Sequence, residues 1–360
     1  MPFDKRFTVA SVLLTIAVLA TPVFTPAALA QGADGEPLRV QNIPAQLGAE
    51  PDLRGTWSAV IENDKFISGT DRDYTTGTHL SYLSAPGQLP NWANELAAKI
   101  PLLASEGKRR IGYNVGQSIF TPEDTESSAL VRDDRPYAGW LYGGVALLSE
   151  KPNTLDTLEL DLGIVGPHAY GEQVQNNFHR LIGSPESNGW DNQLDDEPGV
   201  LLIYERKWRT PDWRFSDSNS RLGIDATPHV GATLGNVFTY AGAGLGIRVG
   251  QNLPSDFGPP RIRPGLPGAG FFDLQSGQTA WYFFASAEGR AVARNIFLDG
   301  NTFSDSHSVD KEPFVGDFQL GFAFMINSAR ITYAQVFRTK EYEGDEPFDS
   351  FGTLSLSLKF

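Results

Sequence analysis

The segment GEQVQNNFHRLIG, from Gly171 to Gly183, combines helical spacing with side chains that can do acid–base chemistry. Its apolar residues recur as they do on one face of a helix, and the opposite face carries Glu172, Gln175 and His179. Histidine titrates near neutral pH and is the usual general base of enzymes. Gln175, one turn earlier, lies where it can orient the imidazole or bind a substrate. A structural role is the commoner alternative for a histidine taken by itself.

The same periodicity predicts how this helix packs. Val174, Phe178 and Ile182 share its apolar face, so we expect them to hold the helix against the rest of the protein, and Gly183 is placed to end it. A serine esterase is the usual rival for hydrolytic chemistry. The sequence contains no Gly-x-Ser-x-Gly motif, which argues against that alternative.

Two further polar clusters stand at the ends of predicted strands. In ENDKFISGTDRDYTTG, residues 62–77, the amide and carboxylate oxygens of Asn63 and Asp64 suit a hard cation such as Ca²⁺. Such a segment is more often a solvated acidic hairpin. The second cluster, VRDDRPYAGW, contains Arg135. An arginine at a barrel rim can hold phosphate, although a surface charge pair is the commoner alternative.

Around these clusters the chain alternates apolar and polar residues, as strands do. In the C-terminal FGTLSLSLKF, the leucines share one face and the serines take the other. Alternation alone fits a sandwich or a barrel. The segments are long, their apolar faces are continuous and their other faces carry charged and amide side chains, which favours a barrel with its apolar face toward lipid. Such segments lie near residues 54–63, 75–84, 109–120, 137–150, 155–166, 199–208, 221–233, 236–250, 279–299, 313–327, 328–338 and 349–360.

The predicted fold is therefore all-β, a transmembrane antiparallel β-barrel of about 12 strands with a short active-site helix between strands five and six. The barrel domain takes residues 53–360. Residues 1–30 predict a signal peptide, because Lys5 and Arg6 precede an apolar run that ends at the small residues PAALA. Residues 31–52 predict a flexible leader, and residues 252–272, rich in proline and glycine, predict a long external loop.

Composition narrows the classes of function. Removal of residues 1–30 takes away two of the 29 basic residues and one of the 43 acidic ones, so the net charge of −14 becomes −15. This charge argues against a nucleic-acid partner. The chain contains no cysteine, so an exported protein of this sequence relies on hydrogen bonding and packing rather than on disulfides. The predicted location is the bacterial outer membrane.

Six motifs, in order and separated by strand-length gaps, resemble those of the lipid A 3′-O-deacylase family of outer-membrane enzymes. Each motif is weak by itself, but the ordered set is specific and covers the chain from about Leu53 to Phe360. The motifs are END (62–64), TDRDYTTG (70–77), DDRPYAGW (133–140), GIVGP (163–167), EQVQNNFHRLIG (172–183) and GWDNQL (189–194).

This resemblance implies an active site between the barrel wall and a short helix, and Ca²⁺-dependent hydrolysis of the ester that attaches the 3′-acyloxyacyl chain to lipid A. In the family's mechanism a histidine activates water and the metal polarises the ester carbonyl. His179 and Gln175 match the family's histidine and glutamine. Asn63 and Asp64 match its asparagine–aspartate pair, and Thr75 matches the threonine of its Y-T-x-G motif.

The resemblance also assigns a substrate-binding residue. At one position the sequence departs from the family pattern. Arg135 falls where the family carries basic residues that meet lipid A phosphates. Pro185 stands where the family pattern carries a glutamate, two residues after the helix glycine, and the adjacent Glu186 is the candidate replacement. The candidate metal ligands are therefore Asp64, Asn63, Thr75 and Glu186.

Other functions stay open at this point. Pro185 motivates a member of the family without hydrolase activity, acting as a structural or lipid-binding barrel. An acyl hydrolase of glycerophospholipids is a further alternative, whereas a passive pore is disfavoured because the helix and the polar inward side chains predict a plugged lumen. The expected partners are lipopolysaccharide and the outer membrane, and a monomer is expected.

Overall fold

Twelve long antiparallel strands dominate the computed structural model, which describes residues 54–64, 73–103, 107–210, 213–214, 222–259, 271–272 and 278–360. The predicted signal peptide and leader, residues 1–30 and 31–52, lie outside these residues. The strands are β1 Thr56–Asn63, β2 Asp73–Leu83, β3 Lys108–Thr121, β4 Ala138–Lys151, β5 Thr154–Val165, β6 Glu197–Trp208, β7 Leu222–Gly235, β8 Phe238–Gln251, β9 Thr279–Asn295, β10 Phe314–Ile326, β11 Ala329–Thr339 and β12 Phe348–Lys359.

The strands close into a barrel. Each one pairs with its neighbours in sequence, β6 pairs with β7, and β1 pairs with β12 to complete the ring. A two-residue strand, Trp213–Arg214, pairs with the beginning of β7. The predicted all-β antiparallel barrel is thus confirmed. The ninth strand ends at Asn295, earlier than predicted, because the side chain of Asn295 accepts a hydrogen bond from the Phe297 backbone and begins a short helix.

Polar side chains face the lumen and apolar ones face outward. In β12, Ser355 and Ser357 are buried, whereas Leu354 and Leu356 between them are exposed on the outside. In β8, Leu245 and the other predicted lipid-facing residues are likewise exposed. This inverted arrangement is stable only where lipid surrounds the barrel, and the predicted direction of the alternation is confirmed.

Side chains fill the lumen at both ends. We call the end at which β1 begins and β12 ends the terminal end, and the opposite end, where β1 leads to β2 and β5 leads to β6, the distal end. At the distal end helix α3, Ile296–Asp299, projects inward, and Phe297 stacks on Phe120 with ring centroids 3.9 Å apart. At the terminal end Arg248 and Arg330 both form ion pairs with Asp256.

The segment after β8 was predicted to be an external loop, and this prediction is wrong for its described part. Asp256 is 0% exposed, and Phe257, Phe271 and Phe272 pack among residues of the lumen. The reason is that the loop carries one acidic and three aromatic side chains that match inward arginines and apolar residues of the barrel. Proline and glycine content alone gave no sign of this match.

Two further helices lie in connections between strands. Helix α1, Asn91–Lys99, lies between β2 and β3, and helix α2, Gly171–Ile182, lies between β5 and β6. The predicted short helix between strands five and six is therefore confirmed. In the part of the chain that the structure describes, the helices are all too short or too polar to cross a bilayer.

Candidate functional site

The candidate site lies on the outer face of the barrel wall at the distal end. Strand register places Asn63 of β1 opposite Thr76 of β2, Thr76 opposite Ile119 of β3, and Ile119 opposite Gly139 of β4. Residues paired across antiparallel strands point to the same side, and the parity of exposed residues such as Ile61 puts this row on the outside. Asn63 is nevertheless only 4% exposed, against 44% for Ile61, so another segment covers the row.

Helix α2 provides cover for this outer row, and it begins over β4. Gly139 comes so close to the helix that an added Cβ would lie 3.0 Å from the Ala169 Cβ and 3.3 Å from the Gly171 nitrogen. The Gln117 Nε2, on the outer face of β3, donates to the Ala169 oxygen at 2.6 Å. The helix also contacts β3, so it lies against the wall rather than over the lumen.

The helix is turned the opposite way from the sequence-based expectation. Gln175 and His179 are buried against the barrel, whereas Val174, Phe178 and Ile182 are exposed at 40%, 41% and 47%. The prediction that the apolar residues hold the helix against the barrel is wrong. An apolar face packs inward only when water is outside, and on the outer wall of a membrane barrel the apolar face turns to lipid.

His179 is 1% exposed, and its ring contacts the backbone of the segment that follows α2. The Nδ1 atom lies 2.5 Å from the Pro185 carbonyl oxygen. A carbonyl oxygen only accepts hydrogen bonds, so this contact assigns the proton to Nδ1 and leaves Nε2 as the basic nitrogen. Asn176 supports the contact, because its Oδ1 accepts from the Ser187 nitrogen at 2.8 Å and its Nδ2 donates to the Ser187 oxygen at 3.2 Å.

The Gln175 amide is oriented by Trp190. The indole Nε1, which is only a donor, donates to the Gln175 Oε1 at 3.1 Å. Gln175 is 3% exposed, and its Nε2 has no hydrogen-bond partner among the described residues. Trp190 packs on Tyr137 with ring centroids 4.9 Å apart. The Gln175 Nε2 is thus a buried amide donor on the same face of α2 as the His179 imidazole.

Tyr137, which packs on Trp190, is a further titratable group of the candidate site. Burial raises the pKa of its phenol to about 12, with a smaller opposing contribution from a hydrogen bond to the Gly189 backbone. The phenol therefore stays protonated at neutral pH and does not compete with His179 as a base. Sequence reasoning gave neither Tyr137 nor Trp190 a role in the site, although they lie in the motifs DDRPYAGW and GWDNQL. The aromatic residue in each of these two motifs was the available signal.

Asn63 ends β1 on the covered row, and Asp64 follows it directly. The Asn63 Nδ2 donates to the Thr76 Oγ1 at 2.9 Å, and Asp64 is 1% exposed. Glu62, one residue earlier, points into the lumen and accepts from the Thr353 Oγ1 at 3.1 Å. Thr75 lies at a bulge of β2, where the register shifts between Tyr74 and Thr76. The Thr75 side chain lies outside the part of the chain that the structure describes.

The oxygen atoms of Asn63 and Asp64, at the end of β1, suit a hard cation better than a soft metal. Asn63 and Asp64 supply amide and carboxylate oxygens of the types that Ca²⁺ prefers, without thiolate or imidazole. The described residues contain no group of three or more histidine, cysteine, aspartate or glutamate side chains that could hold a metal ion. The Glu186 carboxylate is exposed and forms an ion pair with Arg180 at 3.4 Å.

Arg135 belongs to a buried network of charged side chains at the distal end rather than to an exposed rim. Its side chain is fully buried, its Nη2 donates to the Glu341 Oε2 at 3.2 Å, and its guanidinium carbon lies 5.2 Å from the Tyr342 ring centroid. Glu341 also lies 3.6 Å from the lumen-facing Arg338. The buried guanidinium therefore contacts other side chains of the protein and is not exposed to a lipid phosphate.

The Glu341 network predicts a pH dependence of stability. Burial works to raise the pKa of Glu341, but the charges of Arg338, Arg135 and Arg290 outweigh it and the pKa is lowered below the usual 4.5. A lowered folded-state pKa stabilises the fold above pH 4.5, and that stabilisation is lost as the pH falls through the folded-state value. Glu341→Gln is therefore expected to flatten the acid limb of the unfolding free energy measured between pH 7 and pH 3. Equal acid limbs in both proteins would contradict the assignment.

Comparisons with known proteins agree with this architecture. The family model described as outer membrane protein LpxR matches residues 13–360. The solved structure of LpxR from Salmonella typhimurium has a TM-score of 0.69 and 21% sequence identity, covering 85% of this chain and 100% of that chain. The β domain of the Bordetella autotransporter BrkA has a TM-score of 0.42 and 10% identity, covering 86% and 100%. No curated protein sequence matches. Since the family model covers nearly the whole chain, the protein belongs to the LpxR family of outer membrane proteins.

Proposed function

We propose that the protein is an outer-membrane ester hydrolase that removes the 3′-linked acyloxyacyl chain of lipid A. Family membership supports the outer-membrane location and the class of substrate. The observation that carries the proposal is the contact between the His179 Nδ1 and the Pro185 carbonyl oxygen, which fixes the imidazole with Nε2 as its base. The pocket lies between the barrel wall and α2, on the side of the barrel where an acyl ester of a membrane lipid can approach.

His179 acts as a general base and then as a general acid. Its Nε2 takes a proton from a water molecule, and the water oxygen bonds to the carbonyl carbon of the ester. When the bond from that carbon to the sugar oxygen breaks, the imidazolium returns the proton to the sugar oxygen. The products are a free fatty acid and a 3′-hydroxyl. The Pro185 carbonyl stabilises the imidazolium through the Nδ1 hydrogen throughout the cycle.

Gln175 stabilises the negative charge that develops on the ester carbonyl oxygen. Its Oε1 is taken by Trp190, so the amide can only present its NH₂ group to the pocket. A buried donor of this kind is worth more than one in water, because no solvent competes for it. Asn63, Asp64 and Thr75 would hold a Ca²⁺ ion, which supplies positive charge for the ester carbonyl oxygen when bound. Glu186 and Arg135 take no part in this proposal because of the contacts described above.

The apolar face of α2 is suited to the acyl part of the substrate. Val174, Phe178, Leu181 and Ile182 are exposed on the lipid side of the helix, directly behind the residues of the pocket. A lipid whose ester enters the pocket therefore finds apolar contacts for its chains on the same helix. Such contacts are common to lipid A and to glycerophospholipids, so the choice between them is left to experiment.

The test is mass spectrometry of lipids incubated with the purified protein in the presence of Ca²⁺. The expected result is lipid A that lacks its 3′-acyloxyacyl chain, and a chelator is expected to abolish the change. Release of lysophospholipids with intact lipid A would instead identify a glycerophospholipid hydrolase. Unchanged lipids of both kinds, from protein with the heat-modifiable gel mobility of a folded barrel, would identify a family member without hydrolase activity.

Gln175→Glu separates the two functions of this side chain. Glutamate can still accept from Trp190, but an ionised carboxylate has no donor for the ester oxygen and adds a negative charge to the pocket. We expect the deacylation rate to fall on the order of 10²-fold, as for loss of one oxyanion donor. The measurement is the initial rate by mass spectrometry at saturating lipid. Trp190→Phe is the companion variant, and we expect it to lower the rate less because Gln175 keeps its donor.

A further inference from the structure

Helix α1 lies on the outside of the barrel at the terminal end. Ala93 and Ala97 pack in one cluster with Ile111 of β3 and Leu147 of β4, and Leu158 of β5 lies against the same cluster. Ile111 pairs with Leu147, and Leu147 pairs with Leu158, so these three residues form a row on the outer wall. The Arg109 Nη1 also donates to the Asn94 Oδ1 at 2.6 Å. The helix is thus fixed to the wall and does not enter the lumen.

A second stripe of α1 is left exposed. Trp92, Leu96 and Lys99 follow each other at helical spacing, and Trp92 and Leu96 are 54% and 45% exposed. Leu102, just after the helix, is 42% exposed. Trp92 and Leu96 are large apolar residues that water would not favour, and the stripe ends in a lysine. This order, aromatic and aliphatic residues followed by a cation, is typical of helices that lie in a membrane interface.

This stripe is continuous with the lipid-facing surface of the barrel. On the outer face of β3, Tyr113 and Val115 follow Ile111 toward the distal end, and they are 42% and 49% exposed. Val145 and Leu160 beside them are exposed as well. On this face of β3, α1 covers Ile111, and Tyr113 is the next outward position and is exposed. The outward face of the helix therefore adjoins the exposed surface of the strands. The same lipid layer that covers the strands therefore reaches the helix.

The spacing of the two helices matches the height of a membrane belt. Ile111 contacts α1, and Ile119 packs beside Trp190 in the α2 region, eight residues farther along β3. Eight residues span about 26 Å along a strand at ~3.3 Å per residue. For a strand tilt of ~40° this is roughly 20 Å along the barrel axis, close to the ~25 Å belt of outer-membrane barrels. With α2 at one boundary of the belt, α1 lies at the other.

We propose that α1 is an interfacial helix that inserts Trp92, Leu96 and Leu102 into the phospholipid layer at the terminal end of the barrel. Lys99 meets the phosphates of the same lipids. The occupant of this face is lipid rather than another protein, because the exposed stripe is narrow and runs without interruption into the lipid-facing strands. The proposal does not depend on the hydrolase activity, since α1 lies at the opposite end of the wall from His179.

The absence of cysteine from the sequence allows a direct test with single spin labels on the full chain. Leu96→Cys carries the label on the exposed stripe, and the matched control Glu95→Cys carries it on the neighbouring exposed position of the same helix. Leu160→Cys is the lipid-facing reference. Each labelled protein is placed in vesicles of phosphatidylethanolamine and phosphatidylglycerol. Collision of the label with oxygen, which enters lipid, is compared with collision with a water-soluble nickel chelate.

The expected result is an oxygen-to-nickel ratio for Leu96→Cys close to that of Leu160→Cys and well above that of Glu95→Cys. Leu102→Cys is a second site outside the helix and is expected to follow Leu96→Cys. A ratio at both sites equal to that of Glu95→Cys would overturn the proposal. Shielding of both sites from both reagents, as at a contact between proteins, would overturn it too. The heat-modifiable gel mobility of each labelled protein shows that the barrel is folded.

Discussion

Replacing His179 with alanine is expected to lower the rate of lipid A deacylation by about 10²–10⁴-fold, the usual effect of removing a general base. The physical reason is that Nε2 is the basic atom of the pocket, since the Pro185 carbonyl holds the proton on Nδ1. His179→Gln is the more conservative variant, because an amide can replace the hydrogen bond to Pro185 but cannot take a proton from water. Both variants are expected to lose activity with little change in the apparent affinity for lipid. Mass spectrometry of lipid A at several substrate levels measures both quantities.

A matched control for these variants is His168, at the N-terminal side of the same helix. Its imidazole is 68% exposed and interacts with Asp196 rather than with the pocket. His168→Ala is expected to keep nearly full activity. If His168→Ala lost as much activity as His179→Ala, the effect would come from the fold of the connection and not from proton transfer. If His179→Ala retained wild-type activity, another group would be the base.

Removal of Asp256 is expected to have the largest effect on stability. Its carboxylate lies between Arg248 and Arg330, with the Arg330 Nη1 at 2.9 Å, and all three side chains are almost completely buried. Asp256→Ala leaves two buried guanidinium groups with less compensating charge, which costs about 3–5 kcal/mol when a buried pair is broken. The measurement is unfolding by urea in lipid vesicles, followed by tryptophan fluorescence. The side chains that fill the lumen at the terminal end are expected to lose their packing first.

Two further variants separate this effect from a general loss of charge. Glu312 forms an ion pair with Lys340 near the surface, so Glu312→Ala is expected to leave the stability almost unchanged. The double variant Asp256→Ala with Arg330→Met removes one of the stranded charges and is expected to recover part of the lost stability. No recovery in the double variant would mean that Asp256 acts through the packing of its loop and not through charge.

The barrel was predictable from the sequence because lipid imposes a simple rule on every strand. Outward positions must be apolar and inward positions can be polar, so segments such as FGTLSLSLKF reveal both the strand and its orientation. The same logic makes the orientation of α2 unpredictable without its location. Periodicity identified the two faces of this helix, but only the position on the outer wall shows that Gln175 and His179 turn toward the barrel.

The candidate site was only partly predictable because much of it depends on backbone and long-range contacts. Pro185 is an example. Comparison of the sequence with the family pattern shows only that a glutamate side chain is missing at this position. The structure shows that residue 185 contributes a carbonyl oxygen, which any amino acid supplies. The buried position of Arg135 depends on Glu341, which is more than 200 residues away in sequence. No local pattern connects the two.

The location of α2 on the outer wall has a kinetic consequence. In the proposed reaction, a lipid that reaches His179 from the outer side of the barrel wall arrives by diffusion in two dimensions, within the leaflet, and water enters as the second reactant. The rate should therefore follow the mole fraction of substrate in the bilayer and not its concentration in the whole volume. Dilution of the membrane with inert lipid would slow the reaction, whereas dilution of the whole suspension with buffer would leave the turnover of each enzyme unchanged.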